Sequence, residues 1–134
     1  MIALVDDDEI FQFTASRIIA LSKVTERLCQ FKNGAEAIRY IEKHANTPEE
    51  LPDIIFLDIN MPVSDGWMFL EDIARIEGQL AKKSMIYMLS SSIDPRDVER
   101  VKNNKLVTDY LVKPLSRETF IEIISGYTDG QHLS

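Results

Sequence analysis

The sequence is short of several things, and each shortage closes off a class of function. One cysteine, Cys29, stands among 134 residues, so there is no intramolecular disulfide, no CxxC redox pair and no cysteine-based zinc site. Cys29 reads as a small strand hydrophobe, and a reducing, cytoplasmic setting is expected. No apolar run approaches the ~20 residues of a membrane span. The amino terminus runs from Met1 into apolar residues and then carboxylates, without the basic stretch of a signal peptide. Five glycines are present, but no glycine-rich turn follows the first apolar run, which removes the dinucleotide fingerprint and the P-loop. NAD and ATP are therefore not expected ligands. Positive charge is also in deficit. Fifteen Lys and Arg against 22 Asp and Glu leave a net charge of −7, which argues against a nucleic-acid or anionic-membrane surface.

What is present is enough for one core. The length matches a single domain, and 45% hydrophobic residues can fill it without disulfides or a structural metal. Residues 1–127 are expected to form that domain, and 128–134 a short frayed tail with no output domain after it. Ile2-Ala3-Leu4-Val5 is a short continuous apolar run closed by acidic residues, the pattern of a parallel strand buried on both faces. Similar runs occupy 54–57, 85–89 and 110–112, and a weaker strand is expected at 28–31. Between them lie helical stripes: Ile10, Phe11, Ile18 and Ile19 after Asp8; Ile38, Ile41 and Ala45 after Asn33; and Phe69, Leu70, Ile73 and Ile76 after Asp65-Gly66. A fourth helix opens at Asp94-Pro95, an N-cap followed by proline, with only Ile93, Val98 and Val101 to hold it. The fifth begins at Ser116, carries Phe120, Ile121 and Ile124, and is expected to stop at Gly126. The stretch 44–52 reads as a polar surface connection. Five strands alternating with five helices imply an α/β fold with a parallel sheet covered on both faces.

In open parallel sheets, ligands bind beyond the carboxyl ends of the strands. The residues delivered there are Asp6 and Asp7, Asp58, Ser90 and Lys113. Three carboxylates about 4 Å apart would repel by roughly 4 kcal/mol per pair at an effective dielectric near 20. A hard divalent cation relieves such a cluster directly, Mg2+ being the usual choice for carboxylates combined with phosphate oxygens; Mn2+ is an acceptable substitute. Protonation of one carboxylate is the plainer alternative. Lys113 offsets one charge and can contact a phosphoryl oxygen. Asp58, flanked by a metal and a lysine, then has what a carboxylate nucleophile needs to attack phosphorus.

Four motifs in order, Val5-Asp6-Asp7, Leu57-Asp58-Ile59-Asn60-Met61-Pro62 with Asp65-Gly66, Leu89-Ser90-Ser91, and Tyr110-Leu111-Val112-Lys113-Pro114, resemble the receiver domains of two-component response regulators, the CheY-like family. The resemblance runs from Ile2 to about Tyr127. It implies a doubly wound, flavodoxin-like five-stranded sheet in the order 2-1-3-4-5, flanked by five helices. It also implies that Asp58 is the phosphoacceptor and that Asp7 and Asp58 are Mg2+ ligands, with Asp6 assisting and Asn60 offering its backbone carbonyl. Ser90 corresponds to the switch hydroxyl, Tyr110 to the aromatic switch, and Lys113 to the phosphoryl-contacting lysine. The Lys113–Pro114 bond is expected to be cis. The implied partners are a histidine kinase or histidine phosphotransfer protein and a downstream protein. That target would be reached through the surface of the fourth helix, fifth strand and fifth helix; a phosphorylation-dependent homodimer is also compatible.

Two rivals stand beside this reading. A haloacid-dehalogenase-like phosphohydrolase also combines an aspartate nucleophile, Mg2+ and lysine, but places a second aspartate where this chain has Asn60. A receiver-shaped binding module that is never phosphorylated would not need the full set of Asp6, Asp7, Asp58, Ser90 and Lys113. Asp8 and Glu9 read as caps of the first helix, Trp67 and Met68 as cover for the third helix, and His44 and His132 as solvated.

Overall fold

Alternation of side-chain direction along the strands sorts the apolar residues into two cores, one on each face of a sheet. A computed structural model describes residues 1–22 and 27–133, with side chains as far as residue 126. Among these residues the chain forms β1 (Ile2–Val5), α1 (Glu9–Leu21), β2 (Leu28–Phe31), α2 (Gly34–Lys43), β3 (Ile54–Asp58), α3 (Gly66–Ile76), β4 (Met85–Ser90), α4 (Pro95–Lys102), β5 (Val107–Val112) and α5 (Arg117–Leu133). All strand pairings are parallel, in the order β2-β1-β3-β4-β5. The expected fold class and strand order are therefore the observed ones.

Ala3, Val5, Ile55, Leu57, Ile86 and Met88 face a core closed by α2, α3 and Val101 of α4. Ile2, Leu4, Ile54, Phe56, Tyr87 and Leu89 face the other, closed by α1 and α5. In the second core Phe120 lies edge-on to Phe56 at 5.1 Å and 6.0 Å from Phe11. This ties both covering helices to the central strand.

Side-chain oxygens open the helices as expected. Asp8 accepts from the Ile10 and Phe11 amides, Asn33 from Glu36, Asp65 from Met68 and Asp94 from Arg96. Each cap satisfies donors that a helix start leaves unpaired.

Several expectations need correcting. β5 begins at Val107, three residues early, because its ladder to β4 recruits Val107-Thr108-Asp109 despite their polarity. α5 continues through Gly126 to Leu133 instead of stopping there. A Cβ at Gly126 would meet nothing within 4 Å, so glycine marks open space at this position and does not impose a turn. The backbone of the expected frayed tail is thus helical to residue 133, while its side chains and Ser134 lie outside the described residues. α2 ends at Lys43, leaving Ala45 beyond it. Ile10 and Ile93 are 78% and 71% exposed and belong to no core. The 44–52 connection is not wholly superficial, since Leu51 is buried in the first core.

The buried residue of α4 is Val101, and its neighbour Arg100 holds the helix in a second way. Its guanidinium carbon lies 4.1 Å from the centre of the Trp67 ring on α3. Arg100→Ala removes this cation–π contact, worth about 0.5–1 kcal/mol at an exposed site. Faster hydrogen exchange of the α4 amides, with β3 and β4 unchanged, is the expected result.

Candidate functional site: an acidic mouth at the strand ends

The parallel register levels the strand ends with one another. Val5 pairs with Leu57, Asp58 with Leu89 and Ser90 with Val112. Asp6 therefore emerges beside Asp58, and Lys113 immediately after the partner of Ser90. The Lys113 amide donates to the Ser90 carbonyl at 2.8 Å, which closes that side of the mouth. Asp58 and Ser90 are the last residues of their strands and not the first of their loops, so the ladder itself fixes their backbones.

Asp6, Asp7 and Asp58 each offer an oxygen within 4.8 Å of the others. Asp6 and Asp58 are buried and Asp7 is exposed at the rim. Asp6 is held from both sides: its Oδ1 accepts from the Asp8 amide at 2.9 Å, and its Oδ2 lies 2.6 Å from Lys113 Nζ. That second contact is an ion pair without good hydrogen-bond direction, and Asp6 Oδ2 finds no well-aligned donor among the described residues. Lys113 Nζ is farther from Asp58 Oδ2, at 3.6 Å, and the Asn60 amide donates to Asp58 Oδ1 at 3.3 Å. One ammonium thus contacts two of the three clustered carboxylates. This acceptor-rich set of hard oxygens suits a divalent cation of the Mg2+ class; Asp6, Asp7, Asp58 and the main chain at Asn60 would hold it.

Burial, and secondly the Asp6 charge, push the Asp58 carboxyl from its ordinary 3.8 up to about 7, while Lys113 and the Asn60 amide pull it down. The site as it stands therefore resists full ionisation, and a bound cation would reverse the balance.

Ser90 is buried, and its Oγ accepts from the Ser92 amide at 3.3 Å. Tyr110 Oη donates to the Ser92 carbonyl at 2.7 Å, so the tyrosine is bonded to the loop that Ser90 begins. The Lys113–Pro114 bond is cis.

The structure adds residues that the strand-end motifs do not reveal. Lys113 Nζ lies 4.7 Å above the Phe11 ring, so an α1 aromatic helps to aim the ammonium. Gln12 Nε2 donates to the carbonyls of Leu4, Asp6 and Phe31 at 3.0–3.1 Å, clamping the ends of β1 and β2. Gly66 lets α3 start against β3: a Cβ there would lie 2.7 Å from the Asp58 carbonyl oxygen. Val63, 93% exposed in the loop after β3, has φ 70°, a left-handed conformation that costs a β-branched residue about 1–2 kcal/mol.

A doubly wound parallel sheet with an acidic mouth at its strand ends places the chain in a class of small α/β modules. Residues 2–125 match the response regulator receiver domain, and the chain belongs to that family. It is 31% identical to the "Probable methanogenesis regulatory protein FilR2" of Methanothrix harundinacea, over 100% of this chain and 86% of that one. Against DegU of Brevibacillus brevis it is 26% identical and spans 50% of the longer protein. A two-component response regulator from Cytophaga hutchinsonii superposes with TM-score 0.84 at 29% identity, covering 96% of both chains. A phosphorylated cyanobacterial phytochrome response regulator, RcpA, superposes with TM-score 0.74 at 26% identity over 96% of this chain and 90% of that one. These likenesses lend no support to the phosphohydrolase reading. Among the described residues no helix is long and apolar enough to cross a membrane.

Three outcomes test the site's physics. With chelator present, the folded state of Asp58 keeps a proton between about pH 4 and 7 that the unfolded state has lost. Stability therefore falls as pH rises through that window. Asp58→Asn abolishes the fall and is the more stable protein at pH 8, by on the order of 4 kcal/mol, read by urea denaturation. Gly66→Ala displaces the Asp58 backbone and lowers both stability and metal affinity. Val63→Asn relieves the left-handed strain and raises stability by about 1 kcal/mol, measured by thermal melting.

Proposed function

We propose that this receiver accepts a phosphoryl group on Asp58 from the phosphohistidine of a kinase or phosphotransfer protein. The observation that carries the reading is a buried carboxylate ending the central strand, with two carboxylates and one ammonium converging on it. Asp58 Oδ attacks phosphorus in line, the new O–P bond forms as the N–P bond breaks, and the leaving imidazole takes up a proton. Asp7 and Asp58, with Asp6 and the Asn60 carbonyl, would hold a divalent cation, which would supply charge neutralisation there. Lys113 neutralises phosphoryl charge from the other side, swinging from Asp6 towards Asp58. Ser90 donates its hydroxyl to a phosphoryl oxygen, and its loop carries Tyr110 through the Ser92 carbonyl.

The affected surface is α4, β5 and α5, and the output is altered affinity for a protein partner. Inverting a 1:99 population requires roughly 5.5 kcal/mol of differential stabilisation, within reach of several charge-assisted hydrogen bonds. The phosphorylated state of RcpA named above supports the assignment by likeness.

Incubation with acetyl phosphate and Mg2+ tests it. One acid-stable, hydroxylamine-sensitive phosphoryl group per chain is expected; it disappears in Asp58→Asn and without the metal. Rapid multiple turnovers on phosphate esters, or labelling that persists in Asp58→Asn, would overturn the assignment. The phosphorylated or beryllofluoride-trapped protein is then expected to capture a partner that Asp58→Asn does not.

A further inference from the structure

The three carboxylates of the acidic cluster are not aimed in the same way. Asp6 Oδ1 accepts from the Asp8 amide and its Oδ2 faces Lys113 Nζ, while Asp58 Oδ1 accepts from the Asn60 amide. Asp7 is exposed, and among the described residues no hydrogen bond or ion pair holds its carboxylate. Its oxygen nevertheless lies within 4.8 Å of those of Asp6 and Asp58. The main chain alone puts it there, so whatever fixes the Asp6–Asp7 peptide fixes the third corner of the cluster.

The carbonyl of that peptide is held by a side chain from the first turn of α1. Gln12 lines the same groove as Asp6 and Asp7. Its Nε2 donates to the Asp6 carbonyl at 3.1 Å, and also to those of Leu4 and Phe31. The other end of the amide settles its orientation: Gln12 Oε1 accepts from Gln30 Nε2 at 3.0 Å, and the same nitrogen donates to the Gln12 carbonyl at 3.1 Å. With Oε1 facing a donor, the NH2 group must face the strand-end carbonyls. Gln12 is half-buried, so water can replace it at those oxygens, but a water molecule does not fix the direction of the peptide.

We infer that Gln12 is a positioning residue of the metal site: through the Asp6 carbonyl it keeps Asp7 within reach of a divalent cation, and its loss weakens metal binding without undoing the fold. Outer hydrogen bonds that orient a metal ligand govern roughly 10–100-fold in affinity. Gln12 acts one peptide away from the ligand, which places it at the lower end. In giving the cation a task we rest on the phosphoryl-transfer reading, whereas the positioning is a matter of metal binding alone.

Titration of the full chain with Mn2+, without phosphodonor and with free Mn2+ read by electron paramagnetic resonance, is the test. Gln12→Met keeps the bulk and removes the donor. Its Mn2+ affinity should fall roughly tenfold, with an unchanged circular dichroism spectrum. Ile41→Val, a truncation in the core beneath α2, controls for general loosening: it lowers thermal stability and should keep the parent's Mn2+ affinity. With acetyl phosphate, Gln12→Met should need about ten times more Mg2+ for half-maximal labelling rate and reach the parent rate at saturation. Parental Mn2+ affinity in Gln12→Met, or an equal loss in Ile41→Val, would overturn the role of Gln12. A parent chain that binds Mn2+ but takes no phosphoryl group would strike the phosphoryl-transfer reading instead.

Discussion

Lys113 stands between two carboxylates that the fold has taken out of water, and the rest of the structure is arranged around that imbalance. Asp6 is 1% exposed and Asp58 5%, positions where an unpaired charge is costly. At 4.8 Å and an effective dielectric near 20, each pair of carboxylates in the cluster repels by roughly 3 kcal/mol. One ammonium, 2.6 Å from Asp6 and 3.6 Å from Asp58, offsets part of this. Burial and, secondly, the Asp6 charge raise the proton affinity of Asp58. Such a site persists only on a scaffold with stability to spare, and two apolar cores back to back across one sheet supply it.

Parallel register makes the juxtaposition unavoidable. Once β1, β3, β4 and β5 pair in register, their terminal residues lie in one row, and no loop has to fold correctly to bring Asp6 beside Asp58. The loops refine what the ladder sets. The Asp8 amide turns Asp6, the Asn60 amide turns Asp58, and the Phe11 ring steers Lys113. Gln12 clamps the two strands on the outer side of the mouth.

The strand ends were legible because a buried parallel strand writes a continuous apolar run, and the polar residue ending such a run is conspicuous. Asp6, Asp58, Ser90 and Lys113 all carry that signature, and the structure brings them together. Asp7 follows by adjacency. What stayed hidden depends on contacts between distant segments. Gln12 sits on a helix in a sequence context like any exposed glutamine, and only the observed crossing of α1 over the ends of β1 and β2 gives it three carbonyls. Phe11 reads as a core aromatic, which it is, while its second contact with Lys113 requires knowing where β5 ends. Ile10 and Ile93 satisfy a helical spacing yet face solvent, because periodicity reports a stripe but not its edges. Val107-Thr108-Asp109 became strand through pairing with β4, where tertiary context outweighs propensity.

α4 is the element through which an event at the mouth could be felt elsewhere. Its attachment is slender: Val101 contributes about 1.5–3 kcal/mol by burial, and the Arg100–Trp67 contact about 0.5–1 kcal/mol. The Trp67 anchor and the segment entering α4 both lead back to the acidic mouth. Trp67 is the residue after Gly66, whose missing Cβ lets α3 begin against the Asp58 carbonyl. On the other side, the segment entering α4 carries Ser92, whose carbonyl holds Tyr110, two residues beyond Ser90. Short covalent and hydrogen-bonded routes thus run from the Asp58 region towards both ends of α4, and the energy holding the helix is of the same order as a few charge-assisted hydrogen bonds. β3 and β4, buried on both faces, lack such latitude. Rigidity in the central strands with weak docking at α4 is the combination that lets a local electrostatic event alter a surface without unfolding the domain.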